Sequence, residues 1–223
     1  LSSRWQEIQA RLDATHGDPG WWPADTPWEV AVGAVLTQNT AWRNVERALT
    51  NLRKAARTTP QAIAGAAPEV LAQEIRPSGY FRQKTQRLQR LARWWLDRFG
   101  DDVAPADPAA TTHELRAALL ALKGIGPETA DSILLYAFGR EIFVVDAYTA
   151  RLCARLQLIA PPLGYDELQQ EITSMLPQEV EVYQRVHAQI VLHCKDFCTK
   201  RKPKCNACSL QDVCPGPAQD PVG

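Results

Sequence analysis

Leu122-Lys123-Gly124-Ile125-Gly126-Pro127-Glu128-Thr129-Ala130-Asp131 decides how the chain folds. The apolar-periodic run before it, Glu114 to Leu122, reads as a helix that ends at the first glycine. Gly-Ile-Gly lets the backbone turn through φ values that a side chain would forbid. Pro127 falls where a second helix would begin, and its missing N–H costs nothing there. The expected product is two helices joined by a glycine hairpin. Its amides would point outward at a helix N-terminus, where a phosphate oxygen is a natural ligand. Gly-x-Gly alone also fits an ordinary helix–helix turn, so the choice falls to the rest of the chain.

The 223 residues are enough for one large or two small domains with a proper core. Lys plus Arg (25) equals Asp plus Glu (25), so the net charge is zero. A neutral total weighs mildly against a nucleic-acid binder, but local patches set the field at a phosphate backbone. Seven tryptophans against one methionine suggest aromatic surface beyond the needs of a core. No apolar run approaches a membrane span, and the N-terminus lacks a signal-peptide core. The reading is a soluble cytoplasmic protein, nucleoid-associated if bacterial, with no membrane partner.

Trp5, Ile8 and Leu12 mark an amphipathic helix from Ser2 to about Thr15, ended by Gly17. Gly20-Trp21-Trp22-Pro23-Ala24-Asp25-Thr26-Pro27-Trp28 is a loop dense in proline and tryptophan. Asp25 or Thr26 can cap the helix that starts at Pro27. That helix closes on Leu36-Thr37-Gln38-Asn39-Thr40-Ala41-Trp42, and Arg43 to about Ala55 is helical again. Two short helical turns follow (60–67 and 69–75), then a break at Pro77-Ser78-Gly79-Tyr80. The long helix from Phe81 to Phe99 sets Arg82, Lys84, Arg87, Arg90 and Arg93 against Leu88, Leu91 and Trp95. Further helices are expected near 146–156, 165–176 and 180–193. No useful strand alternation appears, so the class is all-α.

Six cysteines crowd toward the C-terminus rather than spreading as a disulfide framework would. Cys198-x6-Cys205-x2-Cys208-x5-Cys214 places four thiols in one loop. Such a set holds zinc or an iron–sulfur cluster. Zinc sites of four cysteines usually use two short pairs, and here there is one, which suits a wider object. Cys153 and Cys194 read as ordinary buried residues.

Together, the hairpin, the downstream Asp146 in Val144-Val145-Asp146-Ala147-Tyr148 and the cysteine loop with Arg201-Lys202-Pro203-Lys204 resemble the endonuclease III superfamily of helix-hairpin-helix DNA glycosylases. The resemblance covers nearly the whole chain. It implies two helical lobes flanking a DNA-binding cleft: a six-helix barrel with the hairpin over 25–132, and a cluster lobe from 1–24 and 133–223. It implies a [4Fe–4S] cluster on Cys198, Cys205, Cys208 and Cys214, with Lys202 on the DNA backbone. The partner would be double-stranded DNA with a damaged base, bound by a monomer.

In that family Asp146 is the catalytic carboxylate; a buried cap of the next helix is its plainer reading. DNA contacts would come from Gly124, Gly126 and Thr129 in the hairpin, and from Gln38, Asn39 and Tyr80. Gln38 and Tyr80 would fill the space left by a flipped nucleotide; Tyr80 also fits a core aromatic at a helix start. Glu128 occupies the place of the lysine whose amine forms a Schiff base in bifunctional enzymes; at the edge of the pocket it would favour a positively charged base, which makes it the second catalytic candidate beside Asp146. A carboxylate cannot form an imine, so strand cleavage is not expected. Lys123 matches no catalytic position.

Trp-Trp-Pro, and Leu-Thr-Gln-Asn-Thr-x-aromatic after it, look like the 3-methyladenine DNA glycosylase III group. There, aromatics matching Trp42 and either Trp21 or Trp22 sandwich the base, whose positive charge suits cation–π stacking. Packing of the lobe interface is the plainer reading for these tryptophans, and core packing is the reading taken for Trp28. Some members of that group lack the iron–sulfur loop that this chain keeps. The expected function is a monofunctional glycosylase for alkylated purines. The alternatives are an oxidised-pyrimidine glycosylase with weak or absent lyase activity and a non-catalytic iron–sulfur DNA-damage binder.

Overall fold

The computed structural model describes residues 2–159 and 163–216; the rest of the expected cluster lobe lies outside them. The elements in chain order are α1 (Ser2–His16), α2 (Pro27–Leu36), α3 (Trp42–Lys54), α4 (Pro60–Ala64), α5 (Pro68–Glu74), α6 (Phe81–Phe99) and α7 (Thr112–Leu120). They continue with α8 (Pro127–Tyr136), α9 (Ala147–Arg155), α10 (Tyr165–Thr173) and α11 (Val180–Asp196), and short 3-10 turns lie at Arg76–Ser78, Cys205–Ala207 and Gln211–Val213. Among the described residues there is no strand, so the class is all-α.

The chain divides into two compact units, Trp22–Arg140 and the described parts of 1–21 and 141–216. In the first, α6 packs on α4, α5 and α2, and α8 packs on α2 and α7. Leu88, Leu91, Ala92 and Trp95 of α6 are fully buried, and Trp28 meets Trp95 at an angle with ring centroids 5.0 Å apart. Trp28 is therefore core, as its sequence neighbourhood suggests. Thr26 caps α2 by accepting from the Glu29 N–H, and Pro27 opens the helix.

In the second unit α11 packs on α1 and α9. Trp5, Ile8 and Leu12 of α1 are buried, the face that their spacing predicts. The buried Gln189 of α11 donates to Asp13 Oδ1 (2.8 Å) and Gly17 O (2.5 Å) and accepts from Gln9 Nε2 (2.7 Å). These bonds fix α1 to α11 in register.

Two expectations need correction. Of the hairpin glycines only Gly124 has a positive φ (+97°); Gly126 is extended (φ −100°, ψ 178°), where any residue fits. And Lys84 does not belong to the charged outer face of α6. It is fully buried, because its ammonium answers two carbonyls that would otherwise lie buried without donors.

Candidate nucleic-acid interface and catalytic carboxylate

The hairpin is built from both sides. Thr111 and Glu114 form a reciprocal capping box at the start of α7, a signal that the sequence reading passed over. Asp131, fully buried on α8, takes two hydrogen bonds from Arg116 of α7 (2.7 and 3.2 Å), which pins the two helices together. A Cβ on Gly124 would lie 2.6 Å from Arg87 Nε, so a side chain there would have to displace Arg87 as well as adopt an unfavourable φ. Glu128 stands exposed in the first turn of α8, and Lys123 is exposed just ahead of it. Thr129 is buried, and its hydroxyl accepts from Gln38 Nε2 at 2.9 Å.

Gln38 follows α2 and is held by both ends of its amide. Nε2 also donates to Gly124 O (3.2 Å), while Arg87 Nη1 donates to Oε1. Asn39 beside it is exposed with φ +53°. Tyr80 shares that geometry: it precedes α6 with φ +44° and is 65% exposed, so the core-aromatic reading fails. A side-chain-bearing residue in this region costs about 1–3 kcal/mol and persists only where its surroundings enforce it. Both turns thus carry a strained, exposed residue.

Asp146 is the N-cap of α9. Oδ1 accepts from the Thr149 N–H (2.7 Å) and Thr149 Oγ1 (2.9 Å), and Oδ2 lies 3.6 Å from His187 Nε2. The capping reading is correct as far as it goes, but the side chain is held more tightly than a cap requires. Burial pushes the carboxyl pKa up, yet His187 and the two Thr149 donors outweigh that, and the net shift is downward. His187 escaped the sequence reading. Its signal was a polar residue on the buried stripe Tyr183, His187, Ile190, Cys194 of α11.

The tryptophans do not form an open sandwich. Trp22 and Trp42 meet edge to face, with centroids 5.3 Å apart and planes at 88°, and Trp22 also packs on Tyr136 (5.5 Å). A stacked base between two rings needs parallel faces about 7 Å apart, twice the usual contact distance. Gly33 makes room for Trp22: a Cβ there would sit 3.1 Å from the indole nitrogen. Trp21, in the other unit, carries Lys195 Nζ over its ring at 5.2 Å.

Cys198, Cys205, Cys208 and Cys214 line one cavity of about 120 Å³, and none is in a disulfide. Arg155, buried on α9, donates to Cys198 Sγ (3.2 Å), Thr199 O (2.9 Å) and Lys200 O (3.1 Å), fixing the start of the loop. His193 Nε2 lies 3.2 Å from Cys208 Sγ. The Cys198 thiol pKa is lowered, first by its bond with Cys194 and then by Arg155, against the effect of burial. Cys153 and Cys194 are buried, and burial lifts Cys153 to about 12. Among the described residues no group of three or more His, Cys, Asp or Glu side chains is arranged to hold a single metal ion. Lys202 is exposed, and its carbonyl accepts from Thr199 Oγ1.

Residues 32–178 match the HhH-GPD superfamily of base excision DNA repair proteins. A putative DNA repair glycosylase of Methanocaldococcus jannaschii is 44% identical over 199 residues, 89% of this chain and 90% of that one. The chain belongs to the HhH-GPD superfamily. The H. pylori 3-methyladenine DNA glycosylase, solved bound to 1,N6-ethenoadenine, superposes with a TM-score of 0.72 at 32% identity, covering 87% of this chain and 98% of that one. A non-covalent endonuclease III–DNA complex shares the fold, with a TM-score of 0.82 at 22% identity over 96% and 95% of the two chains.

This HhH-GPD protein is thus an endonuclease III-like DNA glycosylase of base excision repair, an enzyme that hydrolyses an N-glycosidic bond. Within its own unit each candidate group is tightly organised: Gln38 and Thr129 with the hairpin, Asp146 with His187 and Thr149. Among the described residues no helix is long and apolar enough to cross a membrane.

Proposed function

We propose that the protein is a monofunctional glycosylase that removes alkylated purines flipped out of duplex DNA. The observation that carries this reading is the contrast of two carboxylates: Asp146 is enclosed and kept ionised, whereas Glu128 stands exposed where lyase chemistry needs an amine. Asp146 then stabilises the oxocarbenium-like sugar as the base departs. A carboxyl group with a depressed pKa is a weak base, which favours electrostatic stabilisation and water orientation over full proton removal.

The substrate class rests on the aromatic group Trp22, Trp42 and Tyr136 and on likeness to a 3-methyladenine glycosylase. Half-buried Trp42 supplies the stacking face, and Trp22, wedged beside Gly33, sets the plane of that ring. A cationic purine stacks well on indole and leaves without much acid catalysis. Hairpin amides at Gly124 and Gly126 bind a phosphate, Lys202 adds backbone charge, and Gln38, Asn39 and Tyr80 meet the opened stack.

The four loop cysteines hold a [4Fe–4S] cluster. They line one cavity, and their single short Cys-x2-Cys pair suits a cubane better than one zinc ion. The buried Arg155 guanidinium against Cys198 offsets the negative charge that thiolates and cluster would bring. When bound, the cluster ties the ends of the loop together and fixes the basic run at Arg201–Lys204.

A single-turnover assay on two duplexes, one methylated at purines and one carrying thymine glycol, tests the reading. Release of methylated adenine supports it. Excision of thymine glycol alone moves the enzyme to the oxidised-pyrimidine class.

A further inference from the structure

A cationic row on α6, buried at Lys84 and partly exposed at Arg87 and Arg90, joins three turns of the first unit. Lys84, Arg87 and Arg90 recur at intervals of three and so share one helix face. Lys84 Nζ donates to Leu36 O (2.9 Å), the last residue of α2, and to Ser78 O (2.6 Å), in the turn before Tyr80. Arg87 donates to Gln38 Oε1 and packs against Gly124. Arg90 Nη1 donates to Lys123 O at 3.2 Å. One face of one helix therefore grips the Gln38 turn, the Tyr80 turn and the hairpin.

Lys84 is the unusual member. It is fully buried, and taking an ammonium out of water is expensive even with partners. A purely apolar link would hold α6 in the core more cheaply. What an apolar side chain cannot do is bond two carbonyls from separate turns at once and fix their separation. The acceptor in α2 is also a helix C-terminal carbonyl, where a cation is favoured.

We propose that Lys84 is a positioning residue for nucleotide flipping, clamping the Gln38 and Tyr80 turns so that both reach the DNA stack at a fixed spacing. This rests on the reading of Gln38 and Tyr80 as the residues that enter the stack. Preorganised turns spare the ordering cost that two loose ones would incur on the DNA.

The test uses a duplex with a tetrahydrofuran abasic site opposite 2-aminopurine, which needs no base release and is independent of the lesion. Affinity is read by anisotropy, insertion by the 2-aminopurine fluorescence change, and folding by thermal melting. Wild type, Tyr80→Ser and Lys84→Met are compared. Lys84→Met is expected to bind within about twofold of wild type, because phosphate contacts dominate affinity. Its fluorescence change should fall about fivefold or more, as for Tyr80→Ser, because the insertion geometry is lost. If Lys84→Met does not fold, Lys84→Gln, which keeps one donor, takes its place with the same expected split. A full fluorescence change in the Lys84 variant beside a lost one in Tyr80→Ser overturns the clamp and leaves the stack reading intact. A full change in both overturns the stack reading and the clamp with it. Equal losses of affinity, fluorescence and melting temperature make Lys84 merely structural and also overturn the proposal.

Discussion

Asp146 and Glu128 each stand at the start of a helix, where the positive end of the dipole favours a carboxylate. Their surroundings differ in kind. The Asp146 side chain is only 11% exposed, with one oxygen on two Thr149 donors and the other facing His187, whereas Glu128 is exposed to solvent. On the proposed reading a helix N-terminus alone does not make a catalytic carboxylate. Enclosure and fixed donors do, because they hold the charge in one place and one protonation state before the substrate arrives.

The sharpest way to break this contrast is Asp146→Asn. It keeps the size and much of the cap, and base release in single turnover should fall about 10³-fold, the scale of a lost preorganised charge. DNA affinity should stay within a few-fold. Loss of binding in step with activity would make Asp146 a structural cap. The same carboxyl governs acid stability. Its folded pKa lies below the usual 3.8, so its stabilising contribution is complete above about pH 4 and is lost as pH falls through the lower folded value. Melting curves of Asp146→Asn should lack that part of the acid limb, and an unchanged limb would remove His187 and Thr149 as the cause.

Gly124→Ala probes the ground on which Glu128 stands. A side chain at φ +97° and 2.6 Å from Arg87 should cost about 1–3 kcal/mol of stability, seen as a lower denaturant midpoint. Weaker duplex affinity should accompany it. The smallest effect is expected from Glu128→Gln: base release should change by less than about threefold, since an exposed charge is well screened. A large loss would place Glu128 beside Asp146 as a second catalytic carboxylate.

The sequence carried the hairpin, because Gly124, Pro127 and the apolar run of α7 each report a local backbone demand. It carried Asp146 as the cap of α9, since a capping residue ahead of a helix is a local pattern too, and the gathering of the four loop cysteines round one cavity for the same reason. It did not carry Lys84, which reads as one more cation on a basic helix; only the return of the 76–80 turn and the end of α2 bury it. Trp22 was equally hidden. The Trp-Trp-Pro run does not reveal that Gly33, a turn inside α2, is what admits its ring. His187 and Arg155 are distant in sequence from the groups they hold, so no spacing rule pairs them with Asp146 or Cys198. Gly126 shows the opposite error: a glycine pattern invited a backbone argument that its extended geometry does not need.

The central claim is that hydrolysis runs on Asp146 with no amine at the Glu128 position, and borohydride trapping with product analysis tests it most directly. The wild-type enzyme is incubated with a methylated duplex, with and without borohydride, and the DNA is resolved before and after alkali. The account predicts strand breaks only after alkali and no covalent adduct. Breaks without alkali, together with a trapped protein–DNA species, would contradict it.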